Sequence, residues 1–320
     1  MLFQKVLVAL DGSKNSQIAA EYAFWIAHNL DAELAGQTVV DPRLVDLFIE
    51  PEFAEELGYS QSVETSEKVF FALRKISKTI LELFATEAAV RNLKTTTYLA
   101  EGRIVEEILR YSSEFDVLVL GHRDGRQTQL PSRGMIGSVA ERLAREASIP
   151  VLIAIEPLSK IKQILVAFDG SESSIGALLM AENLAKYTGS ALKAVTVVSA
   201  KSNIAEAKLL TEKGEGYLRE FSKGQVFDVE EGEVSPTILD KAHKSKSLLV
   251  VGAYGYGDPD RNVIGSTTSK LIRDSETSIL IYRPTTHREN SKEPQARIFG
   301  DEICSKPRSR SLENQTRLKK

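Results

Sequence analysis

The stretch KVLVALDGS at residues 5–13 decides how the chain is organised, because it returns as QILVAFDGS at residues 163–171. Each copy is a continuous apolar run that ends in Asp-Gly-Ser. Such a run, without alternating polar residues, is typical of a strand buried on both faces, as in a parallel sheet. Asp-Gly-Ser between a strand and a helix favours a tight turn followed by a helix N-cap.

Three further segments repeat in the same order. LAEGRIVEEIL from residue 99 returns as VEEGEVSPTIL from residue 229, DVLVLGHRDG from 116 as SLLVVGAYGYG from 247, and MIGSVAERL from 135 as VIGSTTSKL from 263. Repetition in unchanged order indicates two copies of one domain. We therefore predict a first domain at residues 1–157 and a second domain at residues 161–285.

The two copies differ in length at one place. Asp11 and Asp169 are 158 residues apart, whereas Gly102 and Gly232 are 130 apart, so the first copy is longer by 28 residues. The extra residues, an insert at about 41–63, mix apolar and acidic side chains, and we expect an extended loop with a short helix. Loops of this size commonly carry a function. This one could cover the pocket of the first domain or dock a partner.

Apolar runs alternate with helical patterns within each copy. In the first copy, strands are predicted at residues 5–10, 33–40, 94–99, 116–120 and 151–155, and helices after residue 13 and at 64–89, 104–112 and 138–146. Alternating strands and helices form a parallel sheet with right-handed crossovers. The predicted fold class is α/β: two tandem copies of an open, doubly wound, five-stranded parallel sheet flanked by helices. Ligands of such sheets bind at the carboxyl ends of the strands, where the strand order reverses.

Composition excludes several classes of protein. The 320 residues are 42% hydrophobic and 27% charged, and every apolar run is far shorter than the roughly 18 residues that span a bilayer. The net charge is −3, and residues 1–285 hold 32 basic and 39 acidic side chains. Nucleic acid requires a basic face. We therefore expect neither membrane nor nucleic-acid binding.

The titratable residues and the first strand indicate the compartment. Cys304 is the only cysteine, and the four histidines are scattered, which argues against a disulfide framework and against a histidine or cysteine metal site. A strand pattern at the first residues leaves no secretory signal. The expected location is the cytoplasm.

The sharpest functional signal lies in the second copy, where Gly252, Gly255, Gly265 and Ser266 stand in the order GAYGYGDPDRNVIGS. Gly252 ends an apolar run and Gly265 precedes a helical pattern. Glycines let backbone N–H groups approach a ligand closely, and a helix N-terminus favours an anion. Ser266 could add a hydroxyl donor and Lys270 a positive charge. The pattern indicates a phosphate site, and turn glycines followed by a helix cap are the alternative.

The spacing Gly-x2-Gly-x9-Gly-Ser, the strand-Asp-Gly-Ser opening and the tandem arrangement resemble the universal stress protein family over about residues 1–285. The resemblance implies ATP as the cofactor, with Mg²⁺ bound through its phosphates as an option, although a subgroup without the motif does not bind ATP. It implies that the four motif residues hold the triphosphate, that Asp169 lies near the nucleotide, and that the main chain at Val198 meets the adenine. It also implies dimers, or tandem pseudo-dimers, that pair their last strands.

The first copy departs from this pattern. Gly121 and Gly137 are 16 residues apart, against 13 for Gly252 and Gly265. The candidate binding residues of the first copy are Asp11, Val40, Gly121, Gly125, Gly137 and Ser138. The longer loop carries Arg123, Arg126 and Arg133, which could clamp phosphate or could solvate a surface loop. Nucleotide binding by the first copy therefore stays open.

Motifs for turnover are missing. No paired acid and base, nucleophile elbow or metal cluster is spaced for catalysis, so we predict a protein that is not an enzyme, with slow ATP hydrolysis at most. The leading hypothesis is an ATP-binding stress-response regulator whose nucleotide occupancy sets its conformation and its binding of an unidentified protein partner. The alternatives are an interaction module that acts without nucleotide and, third, a slow ATP hydrolase.

The last strand of each copy bears on assembly. The apolar runs at residues 151–155 and 278–282 could pair inside one chain, which would form an intramolecular pseudo-dimer and hide both sheet edges. A further homodimer is compatible with this. Residues 286–320 lack periodicity and are predicted to be a disordered tail. Its basic character suits either solvation or docking of a partner.

Overall fold

The computed structural model describes residues 2–43, 63–122, 139–198, 204–219, 221, 226–254 and 264–284. The described residues belong to one unit of the chain, Met1–Thr286. The predicted tail, most of the insert, and the site residues Gly125, Gly137, Ser138 and Gly255 lie outside them. Among the described residues, no helix is both long enough and apolar enough to pass through a membrane.

Strands and helices alternate along the first copy, as the apolar pattern predicts. They are β1 (Lys5–Ala9), α1 (Lys14–Leu30), β2 (Glu33–Val40), α2 (Val63–Val90), β3 (Thr95–Glu101), α3 (Ile104–Ser112), β4 (Val117–Gly121), α4 (Val139–Glu146) and β5 (Val151–Ala154). The predicted bounds of β2 and α3 are confirmed, and the other strands, α2 and α4 differ from the prediction by one or two residues at one end or both, as element termini commonly do.

The second copy repeats the order after a short 3-10 turn at Leu158–Lys160. Its elements are β6 (Gln163–Ala167), α5 (Glu172–Thr188), β7 (Ala191–Val198), α6 (Ile204–Glu215), β8 (Phe227–Glu231), α7 (Val234–Ser245), β9 (Ser247–Gly252), α8 (Ser266–Asp274) and β10 (Ile279–Tyr282).

The ten strands of the described residues form one sheet in the order β3-β2-β1-β4-β5-β10-β9-β6-β7-β8. Neighbours within a copy are parallel, which confirms the predicted α/β class. The copies meet where β5 and β10 pair antiparallel, with Leu152 opposite Leu280. This is the pairing considered from the sequence, and it makes the two five-stranded sheets halves of a continuous one. Strand order reverses between β1 and β4, and again between β6 and β9.

The core has a layer on each face of the sheet, because successive strand side chains point to opposite sides. Val6 and Val8 of β1 belong to the layer under α1, α2 and α5, whereas Leu7 belongs to the layer under α3, α4, α7 and α8. Tyr22 of α1 is fully buried and donates from its hydroxyl to the Glu156 carbonyl at 3.2 Å. Burial raises the pKa of that hydroxyl above its ordinary range, so it remains a neutral donor.

Candidate functional site

The candidate site lies at the carboxyl ends of β6 and β9, two adjacent parallel strands. Asp169 follows β6 closely, and Gly252 is the last residue of β9. Because the strand order reverses between these two strands, both residues stand at the crevice where doubly wound sheets bind ligands. In the first copy, Asp11 follows β1 and Gly121 ends β4, so the same crevice exists there.

Asp169 organises the turn that leads into α5. Its Oδ1 accepts from the backbone N–H of Ser171 at 2.9 Å, and the Ser171 hydroxyl in turn accepts from the N–H of Ser174 at 3.1 Å. Gly170 between them has φ +78°, a conformation that L side chains rarely adopt. The turn-and-cap interpretation of Asp-Gly-Ser therefore describes this segment. Contact between Asp169 and a nucleotide stays a prediction.

The first copy builds the same turn. Asp11 Oδ1 accepts from the N–H of Ser13 at 2.9 Å, and the Ser13 hydroxyl accepts from the N–H of Ser16 at 3.2 Å. Gly12 has φ +77°. Two sequence copies thus give the same local geometry, which places Asp11 and Asp169 at equivalent positions beside their crevices.

Gly252 is explained first by packing. A Cβ on this residue would lie 2.5 Å from Ser173 Oγ and 2.8 Å from the Ser173 carbonyl carbon. The Ser173 hydroxyl also accepts from the N–H of Tyr254 at 3.3 Å. Gly121 repeats this in the first copy, where a Cβ would lie 2.5 Å from the Asn15 carbonyl oxygen. Both glycines therefore let the first turn of a helix lie directly on a strand end, a need that the sequence alone did not show.

The start of α8 lies against the same strand end. Thr268, in the first turn, donates from Oγ1 to the Gly252 carbonyl at 2.8 Å, and the Gly265 N–H donates to the Ala253 carbonyl at 2.9 Å. Gly265 is the N-cap residue, and it forms no side-chain cap. By contrast, α1 and α5 are capped by Ser13 and Ser171.

An N-terminus without a side-chain cap suits an anion. The first N–H groups of a helix have no partner within the helix, and the helix dipole adds positive potential there. Ser266 and Lys270 are exposed on the first two turns of α8. The geometry therefore brings the described residues of the predicted phosphate motif, Gly252, Gly265 and Ser266, to one end of the sheet, and it fits the group that the resemblance implies.

Val198 and Val40 end the second strands of their copies, as predicted. Their carbonyls already accept backbone bonds from the N–H groups of Gly232 (2.9 Å) and Gly102 (3.0 Å), respectively. A carbonyl oxygen has two lone pairs, so a second donor could be accepted at either position. The adenine contact stays a prediction at both.

Beside Val40, the first copy places an ion pair. The buried Asp41 carboxylate accepts from Arg43, with Arg43 Nε 2.9 Å from Asp41 Oδ1. This bond holds the pKa of Asp41 below its ordinary range. Within the described ranges, no group of three or more His, Cys, Asp or Glu residues could hold a metal ion.

Arg283 is a residue of the site region that sequence reasoning missed. It follows β10 and is only 6% exposed. Its Nη2 donates to the Ala144 carbonyl at 2.6 Å and also to the Arg145 carbonyl, both at the end of α4 in the first copy. Its Nη1 donates to Tyr254 Oη at 3.0 Å. A charged residue straight after a buried strand was the available signal, but its partners are far away in sequence.

Comparisons with known proteins agree with this architecture. The family profile described as Universal stress protein family matches residues 2–154 and 160–283. A universal stress protein of Synechocystis sp. is 24% identical over 308 residues, which cover 88% of this chain and 100% of that protein. One of Methanocaldococcus jannaschii is 33% identical over 160 residues, covering 49% of this chain and 84% of that protein.

A solved structure shows the same fold. The universal stress protein from Archaeoglobus fulgidus DSM 4304 superposes with a TM-score of 0.63 at 19% identity, and the match covers 88% of this chain and 98% of that one. The two matched segments of the family profile fall on the two halves of the ten-stranded sheet.

Proposed function

The chain belongs to the universal stress protein family, with two tandem domains, and from that premise we propose that its second domain binds ATP in a stress-response regulatory role. Nucleotide occupancy would set the conformation of the crevice and, through it, the binding of a protein partner. A ligand shifts a conformational equilibrium only by its differential affinity for the two states. The partner must therefore contact a surface that differs between them.

The single observation that carries this proposal is the start of α8. An N-terminus without a side-chain cap stands over the end of β9 at the switch point, tied there by the Thr268 bond to Gly252. The triphosphate would lie against the first N–H groups of α8 and the Ser266 hydroxyl. The adenosine would extend across β6 towards the end of β7, past Asp169 to the main chain of Val198. Mg²⁺, if present, would be held through the phosphates.

We expect binding without rapid turnover, in the cytoplasm. The described residues of the site offer hydrogen-bond donors for an anion, and the sequence shows no acid–base motif spaced for catalysis. Phosphate release from the protein with ATP and Mg²⁺ tests this. A rate above about 1 s⁻¹, within the usual enzymatic range, would contradict the proposal.

The binding experiment targets Gly265. Its φ of −60° is one that L residues adopt, so Gly265→Val adds no backbone strain while it places a side chain at this buried position before α8. Isothermal titration with ATP should show binding by the wild type and none by Gly265→Val. The matched control is Thr267→Val, on the exposed side of the same turn, which leaves every backbone N–H in place and should bind normally.

Two outcomes would redirect the assignment. If a folded Gly265→Val variant binds ATP with unchanged affinity, ATP does not bind at the N-terminus of α8. No uptake by the wild type would favour the interaction module that acts without nucleotide. The number of ATP molecules bound per chain then tests the first domain. Two equivalents would place a second nucleotide beside Asp11, Val40 and Gly121. One equivalent would mean that the first domain has a structural or docking role and binds no nucleotide.

A further inference from the structure

The inner side of helix α2 packs on the core of the first domain. Leu81, Phe84 and Ala88 are buried in the core layer beneath it. Phe84 stacks on Phe24 of α1 with ring centroids 5.2 Å apart. This side accounts for the position of α2 on the sheet. It leaves the opposite side of the helix to be explained.

The outer side of α2 is also apolar. Ile76, Leu83 and Val90 are 57%, 61% and 78% exposed. Of the seven large exposed apolar side chains in the described part of the chain, four lie on this one helix; the fourth, Phe71, lies beside the line that the other three form. Scattered single residues of this kind need no explanation, but a concentration on one element marks an interaction surface.

The exposed residues form a stripe with the spacing of a coiled-coil seam. Steps of four and three residues keep side chains on one line along a helix. The outer stripe consists of Ala72, Ile76, Thr79, Leu83, Thr86 and Val90.

The two threonines of the outer stripe present methyl groups. Thr79 Oγ1 donates to the Lys75 carbonyl at 3.2 Å, and Thr86 Oγ1 donates to the Glu82 carbonyl at 2.8 Å. Since each hydroxyl is satisfied within the helix, burying it against a partner leaves no unpaired polar group. Both threonines can therefore be buried in an interface without an unpaired hydroxyl.

The charged residues beside the outer stripe indicate which surface could pack against it. Lys75 and Glu82 lie seven residues apart on one border, and neither side chain forms an ion pair in the described chain. When two copies of α2 pack antiparallel, these borders face each other. Lys75 then lies opposite Glu82 of the partner subunit, twice by symmetry. The same register sets Ile76 opposite Thr79 of the partner subunit and Leu83 opposite Ala72 of the partner subunit. Large side chains therefore meet small ones over residues 72–83, the part of the outer stripe that this register pairs.

We propose that the outer stripe of α2 is a self-association surface, on which a second copy of this chain docks antiparallel about a two-fold axis. A two-fold interface requires a patch that is complementary to itself, and a lysine-then-glutamate border on an apolar stripe meets that requirement. A membrane surface would call for basic residues on both borders instead. The surface belongs to the first domain and the proposed ATP site to the second, so its test does not depend on ATP binding there.

Sedimentation equilibrium of the full chain at micromolar concentrations tests the proposal. The wild type should form dimers, and Leu83→Glu should weaken them by more than about tenfold, because a charge enters the centre of the stripe. Lys75→Glu and Glu82→Lys should each weaken the dimer by a factor of roughly five to ten, since each places like charges together. Lys78→Glu, the same charge change outside the border, is the control and should leave the dimer intact.

A mixture of the two charge variants gives the sharpest result. Lys75→Glu supplies two glutamates and Glu82→Lys supplies two lysines, so a mixed dimer restores both oppositely charged contacts. We expect an equimolar mixture to dimerise as strongly as the wild type, whereas each variant alone does not. Circular dichroism confirms folding of each variant.

Three outcomes would overturn the proposal. One is a wild type that stays monomeric up to about 100 µM, because such weak association falls below a specific interface. Another is a dimer that Leu83→Glu leaves unchanged, which would place the interface elsewhere. The third is a monomer in which Leu83→Glu exposes residues 41–63 to protease, which would make the insert the occupant of the stripe.

Discussion

The Arg283 guanidinium and the Tyr254 hydroxyl lie 3.0 Å apart, and the arginine also lies over the tyrosine ring, 5.6 Å from its centroid. Tyr254 stands two residues past β9, at the entrance to the predicted phosphate loop. The same guanidinium holds the last carbonyls of α4 in the first domain. Cations are favoured at a helix C-terminus. One side chain therefore ties the crevice of the second domain to a helix of the first.

Arg283→Met should cost about 2–4 kcal/mol of unfolding free energy, because the buried Ala144 carbonyl, the partly buried Arg145 carbonyl and a tyrosine hydroxyl lose a charged donor. Arg283→Lys should fall between this variant and the wild type, since an ammonium keeps the charge but cannot reproduce the planar fork. Urea denaturation measures both. A loss below about 0.5 kcal/mol in the methionine variant would show that the bridge contributes little to stability.

Gly170→Ala should be more destabilising than Gly189→Ala. Both residues have a positive φ, +78° and +66°, and the left-handed conformation alone costs an L residue about 1–2 kcal/mol. A Cβ at Gly170 would also lie 2.3 Å from Leu210 Cδ1, whereas a Cβ at Gly189 meets nothing within 4 Å. The difference between the two unfolding free energies isolates the clash. Equal losses would mean that Leu210 moves aside freely.

Thr268→Val should weaken ATP binding several-fold and cost about 1 kcal/mol of stability, because the first turn of α8 loses its bond to the Gly252 carbonyl. Valine has nearly the same shape, so the buried position stays filled. Thr267→Val next to it is the matched control and should change neither quantity. If Thr268→Val lowers stability without changing ATP affinity, the nucleotide does not use this end of α8.

Arg43→Gln should lower stability at neutral pH and have no effect in strong acid. The folded pKa of Asp41 is held below its unfolded value of about 4 by the Arg43 bond. The stabilisation is therefore complete above that unfolded value and is lost as the pH falls through the folded one. Because Arg43 is an exposed partner, solvent screens the pair and the effect should be small. Unfolding at pH 7, 5 and 3 measures it. A difference that is the same at all three values would exclude the ion pair as its cause.

The repeat was enough to predict most of the fold. Apolar runs that alternate with helical patterns predicted each described strand and helix of the first copy, and β2 and α3 have the predicted bounds. The pairing of β5 with β10 followed from two apolar runs that would otherwise be exposed sheet edges. The local sequence pattern and the need to bury apolar surface thus predict the same fold.

Contacts between distant residues could not be predicted in this way. The sequence predicts that Gly252 faces a ligand. In the folded chain, a Cβ on Gly252 would instead meet Ser173, which is far from it in sequence. Arg283 meets Ala144 across the boundary between the domains, and no periodicity relates them. A helical pattern predicted α2, yet it did not separate the side that packs on Phe24 from the side that carries Leu83.

The antiparallel contact between β5 and β10 has a consequence for biosynthesis. Translation completes β5 an entire domain before β10, so the growing chain carries an unpaired strand edge while the second domain is still being made. Such an edge is a template for pairing with other chains, including neighbouring copies on the same messenger RNA. The edge of β5 stays unpaired from the time β5 is synthesised until β10 is synthesised and pairs with it. The order of synthesis of these two strands, and not the stability of the finished sheet, therefore determines how long this protein can mispair.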